Sequence, residues 1–189
     1  MRSKTIETHK IILQAAKKVF LSKGFAAASM SQIAKEAGIT KPLLFYHCKS
    51  KEELWKSVKE SILGLNLAEV ELPRANYKEF IEYVVDLRFK MYGNNPDLVR
   101  MLQWQRLDSS EGADIAGTYS LPKNIWLNYL IYFQEREQII PSIDVEVLQT
   151  MIFSLSTMPF MENADWVEDK NKLEYYKNCV ISILLSYSM

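Results

Sequence analysis

The sequence predicts an all-α protein of about nine helices. Apolar residues recur at helical spacing along most of the 189-residue chain, as at Ile12, Ala16 and Val19. Glycine, proline and helix-capping residues separate these apolar stretches. No stretch alternates apolar and polar residues in the manner of a half-buried strand. A composition boundary follows residue 51, so we expect an N-terminal domain over residues 1–51 and a larger helical domain over residues 52–189.

The sequence of the N-terminal domain predicts three helices, and a fourth helix begins at its end. The first helix runs from about Thr5 to Lys23, with one apolar stripe. Later helices begin at side chains that accept a hydrogen bond from the first turn, and Ser29 and Ser50 each have Gln or Glu three residues on, as in a capping box. The predicted caps are Ser29, Thr40 and Ser50, and the predicted stops are Gly24 and Gly38.

Five further helices are predicted beyond the fourth. Their approximate ranges are 77–92, 96–107, 120–138, 144–161 and 169–188. The polar stretch Asp108–Thr118 carries two glycines and predicts a loop. We therefore expect the C-terminal domain to be a bundle of helices without a β-sheet.

The net charge changes sign between the two predicted domains. Residues 1–51 contain ten Lys or Arg and two acidic residues, a net charge of +8, whereas residues 52–189 carry a net −8. A basic end of this kind hints at a polyanionic partner. A solvated basic face is the simpler explanation of such a patch on its own.

Several classes of protein are disfavoured by composition. Cys48 and Cys179 are the two cysteines, there is no CxxC motif, and two histidines cannot supply a metal-site spacing, so we expect free thiols, no metal and no cofactor. No apolar run approaches 18 residues and the N-terminus has no signal-like apolar segment, so we expect a cytoplasmic protein without a membrane span. Neither a nucleophile elbow nor a phosphate-binding loop is present, which argues against an enzyme.

Residues 29–51 suit a helix-turn-helix, in which the second helix enters the DNA major groove. Lys41 can donate to a guanine edge, and Leu43 can contact a thymine methyl group. Tyr46 and His47 can donate to phosphates, as can helix N-termini near Lys51. Leu44 and Phe45 are expected in the core rather than on DNA. The full set of predicted DNA-binding residues is Lys4, Thr5, Ser29, Thr40, Lys41, Pro42, Leu43, Tyr46, His47 and Lys51.

Residues 8–55 resemble the N-terminal domain of TetR-type transcriptional regulators. The matching stretches are IILQAAKKVFLSKGF, SMSQIAKEAGITK and LLFYHCKSKEELW. The resemblance implies an all-α homodimer that binds a pseudo-palindromic operator and a C-terminal domain that binds a small-molecule inducer. It also implies backbone contacts by Tyr46, His47 and Lys51, and base contacts by Lys41 and Leu43.

The chain departs from the family pattern at four positions of the third helix. Phe45 replaces a usual Tyr, Pro42 a usual Gly, Leu43 a frequent Thr or small residue, and Cys48 a usual Phe. These departures bear on operator sequence and affinity rather than on DNA binding as such.

The C-terminal domain is rich in aromatic and Met side chains, which suit an adaptable apolar ligand pocket. Most of them must be ordinary core. The candidate ligand-binding residues are Phe89, Tyr92, Met101, Trp104, Trp126, Tyr129, Phe133 and Met158. Arg88 and Arg106 are candidate anion contacts, although a solvated surface position is the first expectation for both.

The last two predicted helices have more apolar surface than one bundle needs. In the resembled family such a pair forms a four-helix interface with its symmetry mate. The candidate dimer residues are Leu148, Met151, Ile152, Leu155, Tyr176, Val180, Ile183 and Leu184. A two-fold dimer also suits two reading helices about 34–36 Å apart on one face of DNA.

The sequence therefore predicts a dimeric, ligand-responsive repressor that leaves its DNA operator when a small apolar or aromatic inducer binds. The alternative is a helical adaptor whose helix-turn-helix serves protein contacts instead of DNA. The basic and hydroxyl groups of the third helix argue against the adaptor, which has no need of phosphate donors.

Overall fold

The computed structural model describes residues 2–63, 71–108, 123–162 and 164–189, with side chains from residue 6 onward except at positions 63, 108, 123, 124 and 164. The all-α prediction is confirmed. The described residues form ten helices: α1 (Arg2–Ala27), α2 (Met30–Glu36), α3 (Lys41–His47), α4 (Lys51–Leu63), α5 (Tyr77–Gly93), α6 (Pro96–Asp108), α7 (Lys123–Gln134), α8 (Val145–Glu162), α9 (Ala164–Glu168) and α10 (Lys170–Leu185). The short helix α9 was not predicted.

The chain divides into two compact units. The N-terminal unit comprises residues 1–67 and 97–118, and therefore contains α1 to α4 and almost all of α6. The C-terminal unit comprises residues 68–96 and 119–189, with α5 and α7 to α10. The predicted boundary after residue 51 stays a prediction, but α4 shares the core of the N-terminal unit.

Helices α1 to α4 pack around one apolar core. Ile12, Phe20, Ile33 and Leu44 are fully buried in it, as is Trp55 of α4. The Trp55 ring meets the Phe20 ring edge-on, with 4.8 Å between their centroids. Edge-to-face aromatic pairs are favourable beyond the area they bury. This core fixes α3 against the rest of the unit.

Two glycines take backbone conformations that side chains oppose. Gly24 has φ 76° and ψ −179°, which breaks the regular helix inside α1 where the sequence predicted its stop. Gly38 has φ 66° between α2 and α3. The chain therefore turns tightly enough for α3 to lie across α2.

The predicted caps of α2 and α3 are confirmed. Gln32 N–H donates to the Ser29 hydroxyl and Ser29 N–H donates to the Gln32 side chain, which completes the capping box. The Thr40 hydroxyl accepts from Leu43 N–H at 3.4 Å.

The cap of α4 differs from the predicted box in one bond. The Ser50 hydroxyl accepts from the Glu53 N–H at 3.0 Å, as expected. The Glu53 carboxylate, however, accepts from the Lys49 N–H at 2.7 Å, one residue before the expected donor. The carboxylate thus ties down the segment that joins α3 to α4.

In the C-terminal unit, α8 and α10 pack on α5. Pro159 lies inside α8 and has no N–H to donate to the carbonyl oxygen of Leu155. The Tyr176 hydroxyl of α10 donates to that oxygen at 3.1 Å. The two helices are therefore joined at the point where α8 lacks an internal bond.

The end of α7 differs from the prediction, and most of one predicted loop lies outside the described residues. Helix α7 ends at Gln134, four residues before the predicted end, because the Gln134 amide donates to the carbonyls of Ile140 and Ile143 and Glu137 adopts φ 56°. The turn that follows leads Ile139 into an isolated antiparallel bridge with Ser188. The predicted loop 108–118 falls almost wholly outside the described residues.

Candidate nucleic-acid interface

Helix α3 buries one side chain and presents the others to solvent. Leu44 is fully buried, whereas Leu43, Phe45 and Tyr46 are 40%, 41% and 80% exposed. The expectation that Leu44 belongs to the core is confirmed, and the same expectation for Phe45 is wrong. At one residue per 100° of helix, Leu44 alone faces inward, and Phe45 joins the outer face. Apolar groups there can contact thymine methyl groups.

The N-terminal end of α3 carries the charge of this face. The Lys41 ammonium lies 5.8 Å from the centroid of the Phe45 ring, and both side chains are exposed. Pro42 follows in the first turn and is also exposed. The hydroxyls of Ser29 and Thr40 already cap α2 and α3, so these side chains position the helices.

The far end of α3 holds a histidine pair that the sequence did not bring together. The His47 ring lies 6.4 Å from that of His9 on α1, and Tyr46 meets His47 edge-on at 5.4 Å. His9 was absent from the predicted set because 38 residues separate it from His47. It adds a donor from α1 to the surface formed by α3.

Lys51 has partners inside the N-terminal unit. Its ammonium donates to the carbonyl oxygens of Phe25, Ala26 and Ala28 at 2.9, 3.4 and 3.1 Å, and lies 4.2 Å from the centroid of the Phe25 ring. These carbonyls follow the break at Gly24, so Lys51 joins the end of α1 to the start of α4. Its predicted phosphate contact stays a prediction, and it requires these bonds to be exchanged.

Part of the positive charge of this unit is neutralised internally. Lys17 forms an ion pair with Asp97 at 2.6 Å, and Lys18 pairs with Glu36. Lys41 and Lys49 are exposed on α3 and the segment after it. The side chains of Lys4 and Thr5 lie outside the described part of the structure.

Cys48 is the C-cap residue of α3, and its thiol is buried. Its side chain is in the core, and its N–H donates to the carbonyl of Leu44 as the helix C-cap. Burial raises the pKa of the Cys48 thiol, and the nearby Glu53 carboxylate raises it further. Cys48 therefore occupies a buried position at the end of α3, where the resembled family has Phe.

This arrangement is that of a helix-turn-helix domain, with α3 as the exposed second helix. Residues 12–58 match the family model described as bacterial regulatory proteins, tetR family. The N-terminal region therefore contains a helix-turn-helix domain similar to those of the tetR family of bacterial regulatory proteins.

Several curated transcriptional regulators are similar to part of this chain. The HTH-type transcriptional activator FasR of Mycolicibacterium smegmatis is 47% identical over 47 residues, which are 25% of this chain and 22% of FasR. The HTH-type transcriptional repressor NicS of Pseudomonas putida is 32% identical over 107 residues, 53% of this chain and 49% of NicS. The chain thus spans less than half the length of each of these relatives.

The fold resemblance extends over the whole chain. The crystal structure of the transcriptional regulator FadR from Bacillus subtilis in complex with stearoyl-CoA has a TM-score of 0.65 and 24% identity. It covers 94% of this chain and 97% of the FadR chain. The similarity to FadR in fold therefore includes the C-terminal helices.

The structure divides the predicted ligand-binding residues between the two units. Met101 is buried in the N-terminal core, and the Trp104 indole of α6 donates to the Leu21 carbonyl at 3.2 Å. The others lie in the C-terminal unit: Phe89, Tyr92, Trp126 and Phe133 are buried, and Tyr129 and Met158 are partly buried. Met101 and Trp104 therefore do not join the aromatic cluster of the C-terminal unit.

That cluster surrounds Phe80 on α5. The Phe80 ring lies 5.4 Å from Tyr129, 6.1 Å from Trp126 and 5.2 Å from Phe133, all on α7. Trp126 also meets Phe153 of α8 edge-on at 5.5 Å. Aromatic side chains from three helices thus share one interior.

The predicted dimer residues fall into two groups. Leu148, Ile152, Val180 and Leu184 are buried within the single chain, since they pack inside the C-terminal unit. Ile183 is 46% exposed, and Met151, Leu155 and Tyr176 are partly buried. Exposed Val147 and Tyr175 extend the same faces, although the sequence analysis did not select them.

The described residues offer neither a metal site nor a membrane-spanning helix. No group of three or more His, Cys, Asp or Glu side chains there could hold a metal ion. None of the helices in that part of the chain is long and apolar enough to cross a membrane.

Proposed function

We propose that this protein is a dimeric repressor that binds a palindromic operator through α3 and releases it when a small ligand occupies the C-terminal unit. The observation that carries the proposal is the outer face of α3. It places a cation, two apolar side chains and a phenol on a helix that buries only Leu44. Such a face suits base edges and phosphates in a major groove.

Dimerisation is supported by the apolar surface that α8 and α10 leave uncovered. On α10, Tyr175, Cys179 and Ile183 are spaced by four residues and are exposed or partly exposed. On α8, Val147 and Met151 have the same spacing. A two-fold axis beside these helices buries both stripes, and a dimer carries two copies of α3 for the two half-sites of a palindrome.

Ligand control is supported by the aromatic interior of the C-terminal unit. FadR, which has a similar fold, was crystallised with stearoyl-CoA. A ligand in this unit releases DNA only to the extent that it binds the DNA-free conformation more tightly than the DNA-bound one. Repression agrees with the name of NicS, while FasR is named an activator.

The test starts with selection of genomic fragments by the purified full-length protein, followed by binding titrations on the best site at several salt concentrations. We expect a palindromic site, one dimer per site, and an affinity that falls steeply with salt because phosphate contacts release counterions. A Lys41→Ala, Tyr46→Ala double variant should lose most of this affinity and keep its helical circular dichroism and its dimer mass. Replacing Lys56, an exposed α4 residue paired with Glu60, by Ala is the matched control.

Three results would contradict the proposal. Failure to enrich any site would refute DNA recognition and favour the adaptor. Unchanged operator affinity in the double variant would refute the assignment of α3. Transcription that falls when the gene is deleted, measured from a promoter carrying the site, would refute repression and favour activation.

A further inference from the structure

We propose that Arg88 is the anion-binding residue of the effector site, and that the effector is a carboxylate with an apolar or aromatic body. The inference rests on the proposed function, since it names the ligand class of the C-terminal unit. From the sequence, Arg88 was a candidate anion contact with a solvated surface position as the first expectation, and the surface expectation is wrong. Arg88 lies on α5 and is 1% exposed.

Among the described residues, no carboxylate forms an ion pair with Arg88. A guanidinium stays protonated at any ordinary pH, and burying a charge without a partner of opposite sign is costly. Among the described residues its hydrogen-bond partners are the Ser156 and Thr157 hydroxyls and the Phe153 carbonyl, all neutral. Asp86, two residues earlier on α5, is held by Lys90 and Lys177.

One of the three guanidinium nitrogens of Arg88 makes no hydrogen bond in the described structure. Its Nε donates to the Ser156 hydroxyl at 2.5 Å, and its Nη2 donates to the Thr157 hydroxyl at 2.6 Å and the Phe153 carbonyl at 3.3 Å. Its Nη1 is buried and has no acceptor. A carboxylate oxygen that reached Nη1 through a local opening of these side chains would add a bond without displacing any that Arg88 already makes.

The surroundings of Arg88 suit the rest of such a ligand. The guanidinium carbon lies 4.6 Å from the centroid of the Phe153 ring and 5.2 Å from that of Tyr92. Trp126 packs against the same Phe153 ring, and its buried Nε1 also lacks an acceptor. Two unsatisfied donors thus adjoin one aromatic ring, which fits an anionic head on an apolar body.

The indole evidence alone is weak, because Trp55 in the N-terminal core has a buried Nε1 without an acceptor as well. Arg88 differs because it carries a full charge. Its hydroxyl partners also lose little if it is removed, since Ser156 donates to Ile152 and Thr157 donates to Phe153. An uncompensated buried cation of this kind is better explained by a ligand than by stability.

The experiment compares carboxylates with their neutral primary amides on the full-length, DNA-free protein at pH 7.5. The probes are octanoate, decanoate and 3-phenylpropanoate against octanamide, decanamide and 3-phenylpropanamide. Calorimetry gives the Kd, and thermal unfolding gives an independent measure of binding. We expect at least one acid to bind about tenfold or more tightly than its amide, as a charge-assisted hydrogen bond requires.

Variants of Arg88 test whether this residue causes the preference for acids over amides. Arg88→Met should abolish the difference between acid and amide without lowering the melting temperature of the ligand-free protein. Arg88→Lys should retain part of it, because the charge remains while the planar fork is lost. Arg136→Met, which removes an exposed arginine from the same unit, should bind like the wild type.

Equal binding of acid and amide by the wild type, no binding of any of the three acids, or a preference that survives in Arg88→Met would each overturn the proposal. The wild-type comparison holds even if a variant fails to fold. DNA binding by the ligand-free protein is measured separately. A protein that prefers acids but binds no operator would refute the proposed regulator and leave the Arg88 assignment in place.

Discussion

Replacing Lys51 by Met should destabilise the N-terminal unit while leaving the salt dependence of DNA binding unchanged. Two of the three Lys51 bonds, at 2.9 and 3.1 Å, reach partly buried carbonyl oxygens of Phe25 and Ala28. Hydrogen bonds from a charged donor contribute about 1.5–3 kcal/mol each. Water can replace part of this contribution at a half-buried site, so we take about 1 kcal/mol for each bond, the central value for neutral hydrogen bonds.

The ring contact changes this sum little. The cation over Phe25 adds about 0.5 kcal/mol, and a Met side chain keeps the apolar stem and a sulfur–aromatic contact in its place. The expected loss is therefore about 2 kcal/mol of unfolding free energy, or roughly 4–8 °C in melting temperature for a chain of this size. Urea unfolding followed by tryptophan fluorescence reports it, since Trp55 lies in the same core.

DNA titrations over a range of salt separate the two roles of Lys51. Removing one phosphate-binding cation should reduce the slope of log affinity against log salt by about 0.9. Replacing a cation that is engaged by its own protein should leave that slope as in the wild type. Unchanged stability in Lys51→Met, together with a reduced slope, would refute the inward role and restore the predicted phosphate contact.

Three further predictions concern single side chains. Gly38→Ala should lower the unfolding free energy by about 1–2 kcal/mol in a denaturant titration, because its φ of 66° opposes a side chain; no atom lies within 4 Å of the added Cβ, so a larger loss would indicate a steric cause. Ile183→Glu should convert the proposed dimer to a monomer in light scattering and keep its helicity, whereas the control variant Ile131→Glu on α7 should remain dimeric. If both variants are dimers, the proposed interface is wrong. In the Ile183→Glu variant, Cys179, which is partly exposed in the single chain, should react with a thiol reagent at pH 8 well before Cys48, whose pKa is raised by burial and by Glu53; equal rates in this folded variant would contradict the buried position of Cys48.

Much of the fold could be predicted from local chemistry. Ser29 and Thr40 cap their helices with bonds that span only three residues, so a short stretch of sequence contains both partners. Gly24 and Gly38 mark backbone conformations that other residues oppose, and each ends a helix where predicted. The end of α7 could not be read in this way, because the carbonyls that Gln134 binds belong to the turn beyond it.

The sequence by itself determined the helical class, the helix-turn-helix and the charge of its domain, since helix periods, caps and composition are properties of neighbouring residues. Only the tertiary structure decided which polar groups have partners. It holds Lys51 on carbonyls 23 to 26 residues away, and it buries Arg88 against hydroxyls 68 and 69 residues away. The free energy of a buried charge depends on every atom around it, and those atoms come from helices that are distant in sequence.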